Sequence, residues 1–244
     1  MNLKLDNYDA VILSGGLGTR LSSILPKNTA KIMLSINDTP FLDYILSHIY
    51  ESGLRRVILA LGYGANGIIH HIEHNQYPDD FMIKYTIERE PLGTAGALTK
   101  ALKYVESKNI FVFNGDTLTL VDLRKLLFLH TSKDAYATIS LVKKLYIKEY
   151  GYVVSNDNDE VISFNEKPQK SIKNGYINSG VYILNKTLLE SLDKNTNISI
   201  EKNIFPSLIG NRLYSLKTHS EFIDIGNLEI LKQSRNKLKN IKHF

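Results

Sequence analysis

The sequence predicts an α/β protein: a mostly parallel sheet flanked by helices, followed by a smaller β-rich lobe. Three observations carry that prediction. Apolar strand-like runs alternate with helix-period segments from Asp9 to Lys143, and repeated strand–helix–strand units pack as a parallel sheet covered on both faces. Two loops, LSGGLGTRL (residues 13–21) and FNGDT (residues 113–117), each follow an apolar run, and in such sheets ligands gather at the carboxyl ends of strands. From Tyr150 onward the pattern changes to short alternating strands.

Each element has its own local reason. Asp9–Ser14 is an apolar run stopped by glycines and reads as the first strand. Phe41–Ser52 puts Phe41, Ile45, His48 and Ile49 in helical register and ends at Gly53. Arg55–Leu61 reads as a strand, Gly64–His74 as a helix, Met82–Glu88 as a strand and Thr94–Glu106 as a helix. Ile110–Phe113 is a short buried strand. Asp122 is suited to cap a helix running through His130, and Ala135–Lys143 is again a strand. In the second half, YGYVVSND and EVISFNEKP alternate around Asn156–Asp159 and read as a hairpin. YINSGVYIL is a strand, Ile200–Ile209 a helix, Leu213–Lys217 and Glu221–Ile225 short strands, and a C-terminal helix starts at Asn227. Neither a linker nor an internal repeat interrupts the chain, so residues 1–244 read as one domain.

Composition narrows the function classes. At 244 residues, 43% hydrophobic and 23% charged, the chain can bury a substantial core and resembles ordinary soluble proteins. It has no cysteine, which removes disulfides, thiolate metal sites and cysteine nucleophiles and fits a cytoplasmic setting. No apolar run approaches the ~20 residues that span a bilayer, and MNLKLDNYDA lacks the apolar core of a secretion signal. The net charge is +5, with much of the excess in KQSRNKLKNIKHF. A solvated helix face explains that run, and without interleaved aromatics it does not argue for nucleic acid. HHIEH at His70–His74 lacks the His-Glu-x-x-His order of a zinc helix and reads as a solvated face.

The loop after the first strand asks for a ligand. Three glycines cost backbone entropy, so LSGGLGTRL needs a close approach to explain it. It is not a dinucleotide fingerprint, because Leu21 stands where the third glycine belongs, and it lacks the terminal Gly-Lys-Ser/Thr of a Walker loop. What remains is a set of amides near Gly15–Thr19 that can cradle phosphates, Arg20 as a bidentate clamp, and a second cation at Lys31. This is triphosphate chemistry.

LSGGLGTRL, the lysine, PFLDYIL, EPLGTAGAL, NGDT, EYG, FNEKP, INSGVYIL and FIDIG occur in order along nearly the whole chain. Together they resemble the sugar-1-phosphate nucleotidyltransferase family. Within it, the motifs and the compact length are most similar to D-glycero-α-D-manno-heptose 1-phosphate guanylyltransferases. One departure stands out: the family's Pro-Lys-Pro is altered, leaving Lys27 in LPKNT and Lys31 in AKIML as candidates for the signature lysine. Counting back from Pro40-Phe41-Leu42 favours Lys31.

The resemblance implies a Rossmann-like sheet with a nucleotide-side lobe over about residues 1–145 and a sugar-side lobe with the C-terminal helix over about 146–244. It implies that a sugar 1-phosphate and a nucleoside triphosphate give a nucleoside diphosphate sugar and pyrophosphate, with Mg²⁺ as cofactor. Arg20, Lys31 and Asp116 would be catalytic, and Asp116 and Asp224 would hold the metal. The nucleotide side would comprise Leu13, Gly15, Gly16, Gly18 and Thr19 in the first loop, Glu88, Glu90, Gly93 and Thr94 in IEREPLGTAG, and Gly115. The sugar phosphate would meet Tyr150, Gly151, Glu166, Lys167 and Asn178. A carboxylate only accepts hydrogen bonds, so Glu88 and Glu90 favour guanine, whose N1–H and amino group donate, and hence GTP. The partners are then two small molecules, not a nucleic acid or a membrane, and a homo-oligomer is compatible with the sequence. Another NTP or hexose 1-phosphate is an alternative substrate. A glycosyltransferase would need Asp-x-Asp, which NGDTL lacks. The intact charged set argues against a catalytically silent nucleotide sensor.

Overall fold

A computed structural model describes residues 3–16, 25–26, 28–147, 150–166, 168, 171–192, 197–226, 234–239, 241 and 244. In chain order the elements are β1 (Asp9–Ser14), a 3₁₀ turn at Lys31–Met33, β2 (Ser35–Ile36), β3 (Thr39–Pro40), α1 (Phe41–Ser52), β4 (Arg56–Leu61), α2 (Ala65–His74) and β5 (Met82–Ile87). Next come α3 (Gly93–Ala101), which tightens into a 3₁₀ turn at Leu102–Tyr104, β6 (Asn109–Asn114), β7 (Thr117–Thr119), α4 (Leu123–Ser132), β8 (Ala137–Ile147), β9 (Tyr152–Ser155) and β10 (Val161–Asn165). The last are β11 (Ile172–Asn185), α5 (Lys186–Glu190), a π turn at Ile200–Ile204, α6 (Phe205–Ser207), β12 (Leu213–Thr218) and β13 (Phe222–Asp224). Residues 234–238 are helical, while the expected start of that helix at Asn227 lies outside the described residues.

The main sheet runs β10-β9-β11-β6-β1-β4-β5, with β8 beside β11 and β12 beside β8. Its centre is parallel: β1 pairs with β4 and β6, and β4 with β5. Beyond β6 the sheet turns antiparallel at β11. Strands of this sheet thus come from both halves of the chain. Alternation along β1 shows why both faces are covered. Ala10 and Ile12 join one core with Phe41, Ile68 and Leu126 of α1, α2 and α4. Val11 joins the other with Leu98, Leu189 and Phe205 of α3, α5 and α6.

Local signals account for much of this. Asp122 Oδ1 accepts hydrogen bonds from the amides of Arg124 and Lys125 at 3.0 and 3.1 Å, starting α4 where its capping chemistry placed it. α1 is buried nearly all round rather than on one stripe, because α2 closes its outer side through His71, whose Nε2 lies 2.9 Å from buried Asp43. On the exposed face of α2, His70 and His74 stack with ring centroids 4.0 Å apart. Other expectations shift. The helix expected to Glu106 ends at Ala101 and tightens into 3₁₀ geometry, a common helix ending. The helix expected over Ile200–Ile209 is a π turn followed by a single turn around Pro206, which has no amide to continue the ladder. Among the described residues no helix is long and apolar enough to cross a membrane.

Candidate active site

The chain proceeds from β1 to β4 on one side and later returns to β6 on the other, so a crevice opens at the carboxyl ends of β1 and β6. Leu13 and Asn114 are register partners there, and the Gly115 amide donates to the Leu13 carbonyl at 2.9 Å. A cavity of about 450 Å³ fills the crevice. Leu13, Ser14, Gly15 and Gly16 form one wall, Asn114, Gly115 and Asp116 the second, and Lys31 with Ile32 the floor. The connection from β5 into α3 closes it with Glu88, Pro91, Gly93, Thr94 and Ala97. Gly93 is held at φ +71, where a Cβ would lie 2.5 Å from the Ile198 carbonyl, so this turn has no room for a side chain.

Of the two glutamates offered for base reading, the structure brings Glu88 to the cavity and leaves Glu90 exposed. Glu88 accepts the Leu92 amide at 3.1 Å. A Cβ on Gly15 would come within 3.2 Å of its Oε1, which places the carboxylate against the first loop. Burial pushes the Glu88 carboxyl above the usual carboxylate range, and the Leu92 amide and the Lys100 charge hold it back in part. The Thr94 hydroxyl is already engaged: it donates to Glu201 Oε2 at 2.9 Å and accepts the Ile200 amide at 2.8 Å.

The charged centre is assembled by a short ladder. β7 and β13 pair antiparallel with Thr117 opposite Asp224, and the Ile225 amide donates to the Asp116 carbonyl at 3.0 Å. Two aspartates far apart in sequence are thereby set side by side. Lys31 Nζ lies 2.9 Å from Asp116 Oδ2. A Cβ on Gly226 would be 3.0 Å from the same Nζ and 2.8 Å from Asp224 Oδ1, so the Lys31 ammonium pairs with Asp116 and lies near Asp224. Asp224 Oδ1 accepts the Gly226 amide at 2.5 Å. Burial raises its pKa first and the Asp116 charge raises it further, while the Gly226 amide, Lys31 and a hydrogen bond from Tyr150 oppose the rise. Tyr150, assigned to the sugar side by motif, therefore also holds a carboxylate of the charged centre. The two crowded carboxylates are hard oxygen donors, a pair that suits magnesium. That ion takes few protein carboxylates and completes its shell with waters and phosphates. Among the described residues no third acidic, histidine or cysteine side chain joins them as a closed cage.

Three of the residues expected to meet the sugar phosphate cluster separately. The Asn178 amide donates to the Gly151 carbonyl at 2.8 Å. A Cβ on Gly151 would sit 2.7 Å from Glu166 Oε2 and 3.5 Å from the Asn178 Cβ, so Gly151, Glu166 and Asn178 meet at one place. Gly18, Thr19, Arg20, Lys27 and Lys167 lie outside the described residues. Sequence reasoning passed over three residues. In the sequence Asn114 stands out only as part of NGDT, and Tyr182 and Glu201 sit inside largely apolar runs. A carboxylate in the middle of SIEKNIF was the one available signal.

Fold, crevice and charged centre together define an enzyme that handles a nucleotide and transfers part of it. The chain belongs to the nucleotidyl transferase family, whose model matches residues 9–240. It is 38% identical over 237 residues to D-glycero-α-D-manno-heptose 1-phosphate guanylyltransferase from Aneurinibacillus thermoaerophilus, covering 97% of this chain and 99% of that protein. The protein of the same name from Campylobacter jejuni is 38% identical over 220 residues, covering 89% of this chain and 94% of that one. The crystal structure of HddC from Yersinia pseudotuberculosis complexed with GMP-PN superposes with a TM-score of 0.82 at 36% identity, covering 95% of this chain and all of that one.

Proposed function

We propose that this chain transfers guanylyl from GTP to D-glycero-α-D-manno-heptose 1-phosphate, giving GDP-heptose and pyrophosphate. The observation that carries the reading is Lys31, Asp116 and Asp224 gathered beside a glycine-walled cavity, with the half-buried Glu88 also lining that cavity. The names of two relatives at 38% identity support the substrate pair. In this reading residues 1–145 serve the nucleotide and 146–244 the sugar. A cysteine-free chain that consumes GTP suits the cytoplasm.

The chemistry follows from charge. A phosphate oxygen of the sugar 1-phosphate attacks the α-phosphorus in line, the new P–O bond forms, and the bond to the β-phosphate oxygen breaks. The nucleophile is already ionised at neutral pH, so no general base is required. Catalysis is positioning and neutralisation. Mg²⁺ held by Asp116 and Asp224 would supply charge neutralisation between the two phosphorylated substrates. Lys31 and Arg20 neutralise the triphosphate, and the amides of Gly15 and Gly16 line its path. Glu88 accepts hydrogen bonds from the guanine N1–H and amino group. Gly151, Glu166, Lys167 and Asn178 receive the sugar phosphate.

Magnesium-dependent pyrophosphate release tests this, with GTP, CTP, UTP, ATP and dTTP each offered against heptose-, mannose- and glucose-type 1-phosphates. Release with GTP and the manno-configured heptose phosphate is expected. Glu88→Gln puts a donor where guanine also donates, so kcat/KM for GTP falls by about 10–100-fold. Release confined to another pair, or an unchanged Glu88→Gln enzyme, refutes the assignment of substrate or base.

A further inference from the structure

Between the nucleotide cavity and the sugar-side cluster lies a buried polar network that neither motif identified. At its centre is the Tyr182 hydroxyl, on a side chain fully enclosed and packed edge-on to Phe205 at 5.1 Å. Asn178 Nδ2 donates to it at 2.7 Å and Asn114 Nδ2 at 3.2 Å, while the hydroxyl donates to Glu201 Oε1 at 3.4 Å. Glu201 Oε2 accepts two further hydroxyls, Thr94 and Ser199, both at 2.9 Å. A phenol has one proton and two lone pairs, and all three are used.

The polarity of this chain is set from one end. The Glu201 carboxylate can only accept, so the Tyr182 proton points to it. The two remaining lone pairs can only accept, so both asparagines must turn their NH₂ groups toward Tyr182. Their Oδ1 atoms then face away. Asn178 Oδ1 takes the Gly180 amide at 3.0 Å. Asn114 Oδ1 takes nothing: it is buried without a hydrogen-bond partner, on a residue that lines the cavity. An orphaned buried acceptor is costly unless something completes it.

We propose that Tyr182 is a positioning residue that, with Glu201, orients the Asn114 amide so that its Oδ1 accepts a hydrogen bond from a substrate hydroxyl, either on the ribose or on the sugar phosphate. The assignment rests on the reading of the cavity as a GTP and sugar 1-phosphate site. It explains why a polar side chain ends β6 where an apolar one would pack as well.

Calorimetry separates the possibilities, with wild-type affinity for GTP and wild-type turnover as controls on that underlying reading. GTP is compared with 2′-deoxy- and 3′-deoxy-GTP, and D-glycero-α-D-manno-heptose 1-phosphate with its mono-deoxy analogues in the presence of a non-hydrolysable GTP analogue. Wild type should discriminate against one deoxy analogue by about tenfold, the worth of one hydrogen bond. A ribose analogue or a sugar analogue showing that loss identifies which hydroxyl is read. In Tyr182→Phe the ring packing stays, the amide is free to turn, and the discrimination should fall toward unity. Adding Asn114→Asp to Tyr182→Phe restores an acceptor in either orientation and should restore discrimination, an effect no purely structural role of Tyr182 produces. If Tyr182→Phe folds poorly, Glu201→Gln tests the same polarity from the other end and should lower discrimination too. Wild type that binds GTP but discriminates against no analogue overturns the proposal, as does discrimination unchanged in the folded variants. Wild type without GTP affinity overturns the functional reading as well.

Discussion

Asp224 is the residue where function and stability should pull apart. Its carboxyl is held above the usual range, chiefly by burial and then by the charge of Asp116. A raised folded pKa favours folding in the protonated form. That contribution is present at acid pH and lost as pH rises through the folded value, so near neutrality the charge is a cost to the fold. Asp224→Asn removes the charge while keeping an oxygen to accept the Gly226 amide and Tyr150. Relieving such a strained functional charge is typically worth about 0.5–2 kcal/mol. For 244 residues the unfolding entropy is about 0.5 kcal/mol per kelvin, so the thermal midpoint should rise by about 1–4 °C. Turnover should fall about 100-fold or more, the usual cost of losing a charge-stabilising group. A second arm uses magnesium. Binding at 100 times Kd adds about 2.7 kcal/mol to the wild type, a rise of about 5 °C, and the variant should lose most of it. Scanning calorimetry with and without magnesium, alongside pyrophosphate release, reads all three. A variant with a lower midpoint, or one with wild-type turnover, refutes the reasoning.

Two further predictions concern the fold. His130 is buried and His48 half-buried with its Nε2 shielded from solvent, and desolvation pushes the pKa of each down from 6.5 to about 4. Their neutral forms stabilise the fold fully above pH 6.5, and that contribution is lost as pH falls toward 4. By pH 5 each should cost about 2 kcal/mol, so the thermal midpoint should drop by about 8 °C between pH 7.5 and 5. A flat profile over that interval would contradict the burial argument. Gly180 sits at φ +79, and a Cβ there would strike Thr117 Oγ1 and stand 3.1 Å from the Asn114 Cβ. Gly180→Ala should therefore lose about 2–5 kcal/mol and roughly 4–10 °C, from backbone strain plus overpacking. A midpoint within 1 °C of wild type in a calorimetric scan would show that β11 yields easily.

What was legible in the sequence was local. β1, β4, β5, β6 and the four longest helices each have a period or a cap that needs no partner to be seen. The crevice was also legible, because two polar loops after apolar runs imply strand ends in a parallel sheet. The long arms were not. β8 runs to Ile147 and β11 starts at Ile172, well beyond the expected Lys143 and Tyr176. Their outer residues are stabilised by pairing with each other, as in Ile172 opposite Ile147, rather than by an alternating pattern of their own. Of the two glutamates in IEREPLGTAG, only burial separates Glu88 from Glu90, and burial is a property of the fold. The network around Tyr182 was hidden for the same reason. Its members are scattered from Thr94 to Glu201, and only the meeting of β6, β11 and the π turn makes them neighbours.

The pairing of Asp116 with Asp224 shows how the spacing of two carboxylates can be set by apolar packing. β7 and β13 have three residues each, too few to form a stable ladder alone. Between the two aspartates and the loop beyond, Leu118 and Ile223 face each other in register and are 2% and 0% exposed. Both belong to the core that also holds α1 and the inner face of β1. The ladder is therefore anchored from below by hydrophobic burial, and its upper end, where Asp116, Asp224 and Lys31 meet, inherits that position. Like charges at such a spacing repel, so a flexible support would let them separate. A support continuous with the core does not, because moving either aspartate outward means withdrawing Leu118 or Ile223 from it. The repulsion that adds to burial in raising the pKa of Asp224 is thus stored rather than relieved, and a divalent cation held by these carboxylates would offset it.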